Sequence, residues 1–410
     1  MKYVIIGNSI AAIGCVEGIR AKDKDGEITI VSSEKHHVYG RPLISYLLWG
    51  KTTLEKMKYR PDSFYDDNKV ETLLGVTALS IDKKNKKVLL DNGEKVAYDK
   101  LLLATGSRPF VPPCEGLDLV KDKHSFMTLD DALSLEESIN KTTNVLVIGA
   151  GLIGLKCVEG ILEKVKSVTV VDMADRVLPS ILTSEASSIV QRHLEEKGVK
   201  FILGDVVEKY NKNLAVLKSG KKVFFDTLVL AVGVRPNTQL IEDIKGEVNR
   251  GIIIDSNGKT SVKDIYAAGD CTMSHDISCD QDRILAILPN AYLQGRSAGF
   301  AMTGNEEPFE NPIPMNAIGF MGLHVVTAGS YIGDMDLVIN DDKNYKALFV
   351  KDNLLKGFII IGDDSRCGIY TSLIRNKTPL DSVDYELIRE KPQLIAMARK
   401  YRDEELGGKK

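Results

Sequence analysis

The sequence predicts an α/β protein made of two copies of one strand–turn–helix unit, followed by a smaller α+β domain. Three observations predict it. A glycine-bearing turn follows an apolar run twice: Gly7-Asn8-Ser9-Ile10-Ala11-Ala12 after Val4-Ile5-Ile6, and Gly149-Ala150-Gly151-Leu152-Ile153-Gly154 after Val145-Leu146-Val147-Ile148. A longer echo lies downstream of each. Asp99-Lys100-Leu101-Leu102-Leu103-Ala104-Thr105-Gly106-Ser107-Arg108-Pro109 runs in step with Asp226-Thr227-Leu228-Val229-Leu230-Ala231-Val232-Gly233-Val234-Arg235-Pro236. After Pro312 and Pro314 the pattern changes to alternation, over Tyr345–Val350 and Leu355–Gly362, which suggests an antiparallel sheet.

The elements follow in order. Lys2–Gly7 reads as a strand, Ser9–Lys22 as a helix and Glu27–Ser32 as the next strand. Asp91-Asn92-Gly93 between apolar runs is a hairpin turn. The lysine run Lys83 to Lys87, itself at a predicted hairpin, reads as a solvated face that could also help dock an acidic carrier. A linker carrying Pro109, Pro112 and Pro113 leads to the second unit, which repeats strand, helix and strand over Asn144–Asp172 and ends near Pro236. Asp264-Ile265-Tyr266-Ala267-Ala268-Gly269-Asp270 then precedes a helical pattern over Pro289–Met302. The charged tail from Asp381 to Lys410 has a helical pattern, with Glu404–Lys410 expected to fray.

Composition narrows the functions. The 410 residues carry a net charge of −3, with 43% hydrophobic and 27% charged residues, which is ordinary globular usage without a basic stripe. Nucleic acid is not an expected partner. No apolar run reaches the roughly 18 residues of a membrane span, and the first strand pattern at Lys2 leaves no room for a signal peptide, so a cytoplasmic location is expected. The six cysteines, Cys15, Cys114, Cys157, Cys271, Cys279 and Cys367, form no CxxC or CxxxxC pair. They therefore offer neither a metal set nor a redox dithiol.

The repeated turns carry the chemistry. Backbone must approach a pyrophosphate closely at a helix N-terminus, where unpaired N–H groups and the helix dipole favour anions. Two such turns imply two dinucleotides and two Rossmann-like three-layer domains. Gly149, Gly151 and Gly154 fit the G-x-G-x-x-G pattern fully, with Leu152 and Ile153 in the first helical turn. In the first copy Gly7 is kept, Ser9 replaces the middle glycine and Ala12 the last. The serine hydroxyl can donate to phosphate. A carboxylate about 20 residues on grips a ribose hydroxyl. Asp172 ends the run Val168-Thr169-Val170-Val171 at that place, and no arginine follows immediately to receive a 2′-phosphate, so the exchanging cofactor reads as NADH. Glu34, after Ser32 and Ser33, is the counterpart in the first copy.

Taken together, Gly7–Ala12, the Ala104-Thr105-Gly106 strand end, Gly149–Gly154, Ala231-Val232-Gly233 and Asp264–Asp270 resemble the two-dinucleotide pyridine nucleotide-disulfide oxidoreductase superfamily. The resemblance covers about the first three-quarters of the chain. It implies FAD at the first unit, NAD(H) at the second, and a role for Asp270 at the FAD ribitol or phosphate region. It also implies an FAD-binding domain over 1–112 and 240–310, a NAD-binding domain over 113–239 and a C-terminal α+β interface domain over 311–410. Thr105 and Gly106 fall on the FAD side and Gly233 on the NAD side. The segment His37-Val38-Tyr39-Gly40-Arg41-Pro42-Leu43 looks like the Arg-Pro stretch beside FAD pyrophosphate, which assigns Arg41 and Pro42 to that contact. The helix starting at Pro289, with Asn290 and Ala291, is expected to point its N-terminus at the flavin pyrimidine.

Relatives that reduce disulfides or peroxide carry redox cysteines just beyond the first helix, and this chain has no cysteine between Cys15 and Cys114. The nearest resemblance is then to NADH-dependent rubredoxin reductases and the flavin modules of nitrite reductases. Many relatives have glutamate at the position of Lys156 and a lysine near Tyr46; here Lys156 is expected close to the flavin N5 edge, favouring the anionic reduced flavin. His36, His37 and His324 lack metal spacing and read as structural or exposed. The expected activity is hydride transfer from NADH to FAD, then electron delivery to a separate small iron–sulfur or rubredoxin-type protein, alone or in a larger redox complex, or the reverse reaction. A homodimer is compatible with it. Two alternatives stay open: an NADH oxidase reducing oxygen or peroxide, and a flavin-bound subunit whose main role is assembly of a redox complex.

Overall fold

Val4, Ile5 and Ile6 are apolar on both faces because their strand, Lys2–Ile6, is central to a parallel sheet. The computed structural model describes residues 1–397; the end of the charged tail, with the fraying expected at Glu404–Lys410, lies outside the described residues. The sheet order is Ile265–Ala267, Lys100–Leu103, Lys2–Ile6, Glu27–Ser32 and Val70–Leu74, with every neighbouring pair parallel. Packing divides the chain into two units. One holds Met1–Val171, Asp205–His275 and Asp282–Glu310; the other holds Asp172–Gly204, Asp276–Gln281 and the chain from Asn311 onward.

In the first unit, helix Ile10–Lys22 packs against helix Leu288–Met302 at backbone contact. A Cβ added at Gly14 would fall on the Tyr292 carbonyl, and one at Gly295 on the Ala11 carbonyl. Glycine is required at both by that approach. Ile10, Ile13 and Ile19 are fully buried beneath, each worth about 1.5–3 kcal/mol of transfer free energy. The second copy of the motif builds a parallel arrangement too, in the order Ser167–Asp172, Asn144–Ile148, Thr227–Leu230 and Lys123–His124. The expected turn joins strands Lys87–Leu90 and Lys95–Ala97, with Gly93 at φ 88°.

The lysine run is the solvated face its composition suggests, with Lys83, Lys84 and Lys87 exposed, although some of its ammonium groups are also bonded. Lys86 Nζ lies 2.7 Å from one Asp264 oxygen and Lys100 Nζ 2.6 Å from the other, while Lys83 Nζ donates to the Ile244 carbonyl at 2.9 Å. These bonds fix Asp264 just before strand Ile265–Ala267. Burial raises the Asp264 pKa, but the two ammonium groups outweigh it and the net shift is downward. A depressed carboxyl stabilises the fold above its unfolded pKa, near 3.8, and loses that contribution as pH falls through the folded value. Acid unfolding followed by circular dichroism should therefore show stability falling below about pH 4, and Asp264→Asn should flatten that limb while lowering stability at pH 7.

The second unit contains an antiparallel sheet ordered Met315–Phe320, Leu323–Gly329, Leu354–Ile361, Tyr345–Lys351 and Asp334–Asn340. Helix Gly368–Arg375 packs on it through Tyr370, Leu373 and Ile374. Among the described residues the helical pattern of the tail gives one α-helix, Tyr385–Glu390, flanked by single turns at Leu380–Ser382 and Leu394–Ala396 and tied back where Arg389 donates to both Asp336 oxygens at 2.7 and 2.8 Å. Among the described residues no helix is long and apolar enough to cross a membrane, and no group of three His, Cys, Asp or Glu side chains could hold a metal.

Candidate functional site

The two glycine turns are built on one plan. Gly7 and Gly149 both sit at φ 114°, a region open to glycine. Gly7 N donates to Val31 O and Gly149 N to Val171 O, each at 2.8 Å; Ala104 N donates to Ile6 O and Ala231 N to Ile148 O, again at 2.8 Å. A Cβ at Gly7 would land on the Ala104 carbonyl oxygen, and one at Gly149 on the Ala231 carbonyl oxygen. The strand end carrying Gly106 (φ 62°) or Gly233 (φ 109°) thus presses on each turn.

Beyond the turns the copies diverge as their sequences do. Ser9 and Gly151 are the extended residues that precede helices Ile10–Lys22 and Leu152–Ile161, and neither makes a side-chain cap. The Ser9 hydroxyl is therefore not spent on its own helix. A Cβ at Gly151 would meet nothing within 4 Å, whereas one at Gly154 would strike the Gly149 carbonyl. Ala12 occupies the corresponding place in the first copy, fully buried. Leu152 and Ile153 form the first turn of their helix, partly buried. An open floor, close backbone and unspent donors at a helix N-terminus are what a pyrophosphate requires.

Glu34 and Arg41 are brought together. Arg41 Nη2 donates to Glu34 Oε1 at 2.5 Å and Arg41 Nη1 to the Met127 carbonyl at 2.8 Å; Tyr39 Oη donates to Glu34 Oε2 at 2.6 Å. Tyr39 Oη in turn accepts from Leu129 N. Glu34 therefore orients Arg41, a link that the sequence reading did not draw. Pro42 starts the short turn Arg41–Leu43 and fixes its entry. Burial pushes the Asp270 carboxyl up, and the charge of Arg41 draws it part of the way back, so the two lie within electrostatic reach.

The Gly269–Asp270 turn gathers the remaining pieces. Gly269 N donates to Gln294 Oε1 at 2.8 Å, and a Cβ on Gly269 would lie 3.2 Å from Ala11 Cβ and 3.6 Å from Ala291 Cβ. Asn290 and Ala291 are buried in the first turns of helix Leu288–Met302, with Pro289 at its start. Gln294 was not singled out by sequence; a buried glutamine on a helix face is the signal that could have found it. Asn8 was missed as well, its Oδ1 accepting from Tyr65 Oη at 2.8 Å.

Thr105 Oγ1 donates to Asn237 O at 2.7 Å, Asn237 N to Gly106 O at 2.9 Å, and Phe110 N to Gly233 O at 2.9 Å. Each strand end is thereby stitched to the opposite crossover. Asp172 closes strand Ser167–Asp172, where its Oδ1 accepts from Ala174 N at 2.8 Å. His36 pairs with Asp130, and His324 with Asp364.

Lys156 is paired. Its Nζ forms an ion pair with Glu159, one helical turn on and 1% exposed, and stands 4.3 Å from the centroid of the Tyr46 ring. Helix Leu152–Ile161 approaches Ile44–Leu48 so closely that a Cβ at Gly160 would sit 2.9 Å from the Ser45 carbonyl. Tyr46 stacks on Trp49, the sole tryptophan of the sequence. The position read as a lone cation is one half of a pair whose carboxylate, Glu159, sequence reasoning overlooked. Cys15, Cys157 and Cys271 are buried, and burial raises their thiol pKa values.

The family model described as pyridine nucleotide-disulphide oxidoreductase matches residues 1–295, and the one described as the rubredoxin NAD+ reductase C-terminal domain matches residues 314–378. The NADH-dependent phenylglyoxylate dehydrogenase subunit epsilon of Aromatoleum evansii is 31% identical over 92% of this chain and 92% of its own. The nitrite reductase [NAD(P)H] of Bacillus subtilis (strain 168) is 29% identical over 92% of this chain and 48% of its own, so the chain spans about half the length of that relative. Among solved structures, a covalent putidaredoxin reductase–putidaredoxin complex matches with a TM-score of 0.87 at 23% identity, covering 95% of this chain and 96% of that one, which is a likeness of fold.

Proposed function

The chain belongs to the pyridine nucleotide-disulphide oxidoreductase family, and from that premise we propose that it is an FAD-dependent NADH oxidoreductase serving a separate iron–sulfur or rubredoxin-type protein. The observation that carries the choice of acceptor is the absence of any cysteine between Cys15 and Cys114. With Tyr46 in the helix Ile44–Leu48 there is no thiol there to take electrons, and they must leave the chain. The match of residues 314–378 to a rubredoxin reductase domain supports the same class of acceptor.

In this reading FAD lies along Gly7, Ser9 and Ala12, with Arg41 offered to its pyrophosphate by Glu34, and NADH lies along Gly149–Gly154 with Asp172 at its ribose. Bound FAD supplies the conversion of a two-electron donor into single-electron deliveries. The chain's own contribution is positional. Asn290 presents its helix N–H group toward developing negative charge, while Ala291 N donates to Ile287 O at 3.0 Å within the helix and serves only to pack the turn; the tight turns at Gly7 and Gly149 set how far each dinucleotide enters. The division into 1–112 with 240–310, 113–239 and 311–410 is part of the proposal, as is Lys156 beside the reacting rings.

Steady-state turnover with NADH should be at least about tenfold faster with added rubredoxin or ferredoxin than with oxygen alone. Equal rates would favour an oxidase. Stopped-flow mixing with NADH that produced no rapid flavin bleaching would leave only the assembly role.

A further inference from the structure

Arg108 and Arg235 face each other. They lie on strands Ser107–Pro109 and Val234–Pro236, whose antiparallel register pairs Arg235 directly with Arg108. These are the two crossovers by which the chain passes between its repeated halves. Directly opposed like charges destabilise a two-stranded ladder, and both guanidinium groups are exposed and so open to an anion from solution. Neither arginine has an ion pair among the described residues. Arg108 Nη1 donates to Asn237 Oδ1 at 3.0 Å, and the Arg235 guanidinium lies 4.4 Å from the Phe110 ring centroid.

A third guanidinium joins them. Arg250 occupies the tip of the turn between Val248–Asn249 and Gly251–Ile253, at φ 30°, where a residue without a side chain would be the less strained occupant. It too has no ion pair among the described residues. Arg108, Phe110, Arg235, Thr238 and Arg250 line an open surface cleft of about 570 Å³. Three unneutralised forks around one concave space match the geometry of phosphate oxygens better than that of any apolar ligand.

We propose that this cleft is an anion site for a ligand carrying two or more phosphates, separate from the two dinucleotide turns. The ligand relieves the Arg108–Arg235 repulsion and clamps the paired crossovers. Thr238 supplies a hydroxyl to the lining, and the Phe110 ring steadies Arg235 at the wall of the cleft. The inference stands on the register and the cleft and does not depend on the acceptor assigned above.

The test uses the FAD-loaded protein with excess NAD+, so that the glycine turns are filled, and inorganic tripolyphosphate as the probe in isothermal titration calorimetry. One bound tripolyphosphate per chain is expected, weakened at least about tenfold in Arg235→Gln and in Arg250→Gly, with flavin reduction by NADH unchanged in both. Arg250→Gly also suits the positive φ of the turn, and circular dichroism checks that both variants keep the parent fold. ATP binding more tightly than tripolyphosphate identifies a nucleotide as the ligand; equal binding identifies the phosphate chain alone. No binding to the parent protein, or binding undiminished in both variants, overturns the proposal. So does capture of a polyglutamate peptide without tripolyphosphate binding, which would make the surface a protein-docking patch.

Discussion

Gly149→Ala is expected to leave a yellow flavoprotein that NADH no longer reduces efficiently, with kcat/KM down at least about 100-fold. The physical reason is double. A Cβ at φ 114° is strained by about 1–3 kcal/mol, and it would land on the Ala231 carbonyl oxygen. That carbonyl cannot retreat cheaply, because Ala231 N is itself bonded to Ile148 O in the parallel ladder. The turn must open, and the helix N-terminus it aims moves with it. Gly7→Ala carries the same two penalties against Ala104, with the opposite expected phenotype: purified protein lacking retained FAD. Absorbance of the purified variants and stopped-flow reduction read the two outcomes, with circular dichroism to show that each still folds. The assignment of FAD to the first copy and NADH to the second fails if the phenotypes are exchanged or identical.

Lys156→Met should destabilise the holoprotein by about 3 kcal/mol, because it removes the ammonium from a carboxylate that is 1% exposed. Breaking a buried pair costs more than replacing it. Glu159→Leu is expected to cost less, and Lys156→Met with Glu159→Leu to recover most of the loss, giving a coupling of about 1–3 kcal/mol in a double-mutant cycle by urea denaturation. A coupling below about 0.5 kcal/mol would mean that the pair contributes nothing particular to the fold. Lys156→Glu is the harsher change, since it places a second carboxylate beside Glu159. The functional part of the expectation has its own readout. If the flavin potential and the hydride-transfer rate are the same in Lys156→Glu as in the parent, Lys156 has no role at the reacting rings.

How much of this was legible in sequence depends on how local each requirement is. The turns at Gly7 and Gly149 could be found because a positive φ and a close carbonyl demand glycine at one position, whatever surrounds it. The first strand–helix–strand was legible for a similar reason: continuous apolar runs fit strands buried on both faces, and the helix observed at Ile10–Lys22 is preceded by the Ser9 that replaces a glycine. The antiparallel character of Tyr345–Lys351 and Leu354–Ile361 followed from alternation. The lysine run is exposed as its composition implied, but the bond of Lys86 to Asp264, far along the chain, could not be read from it.

That the chain holds one unit twice, that the copies differ at Ser9 and Ala12, and that no thiol follows the first helix before Cys114 can be read from the residues alone. These are properties of short segments, set by torsion angles and by which residues are present. That Glu34 bonds Arg41 and Tyr39, that Gln294 holds the Gly269 turn, and that Arg108 stands opposite Arg235 emerges once the chain is folded. Hydrogen bonds and ion pairs join groups by distance in space, and apart from the Lys156–Glu159 turn no local period in a sequence encodes which distant segment will arrive beside a given side chain.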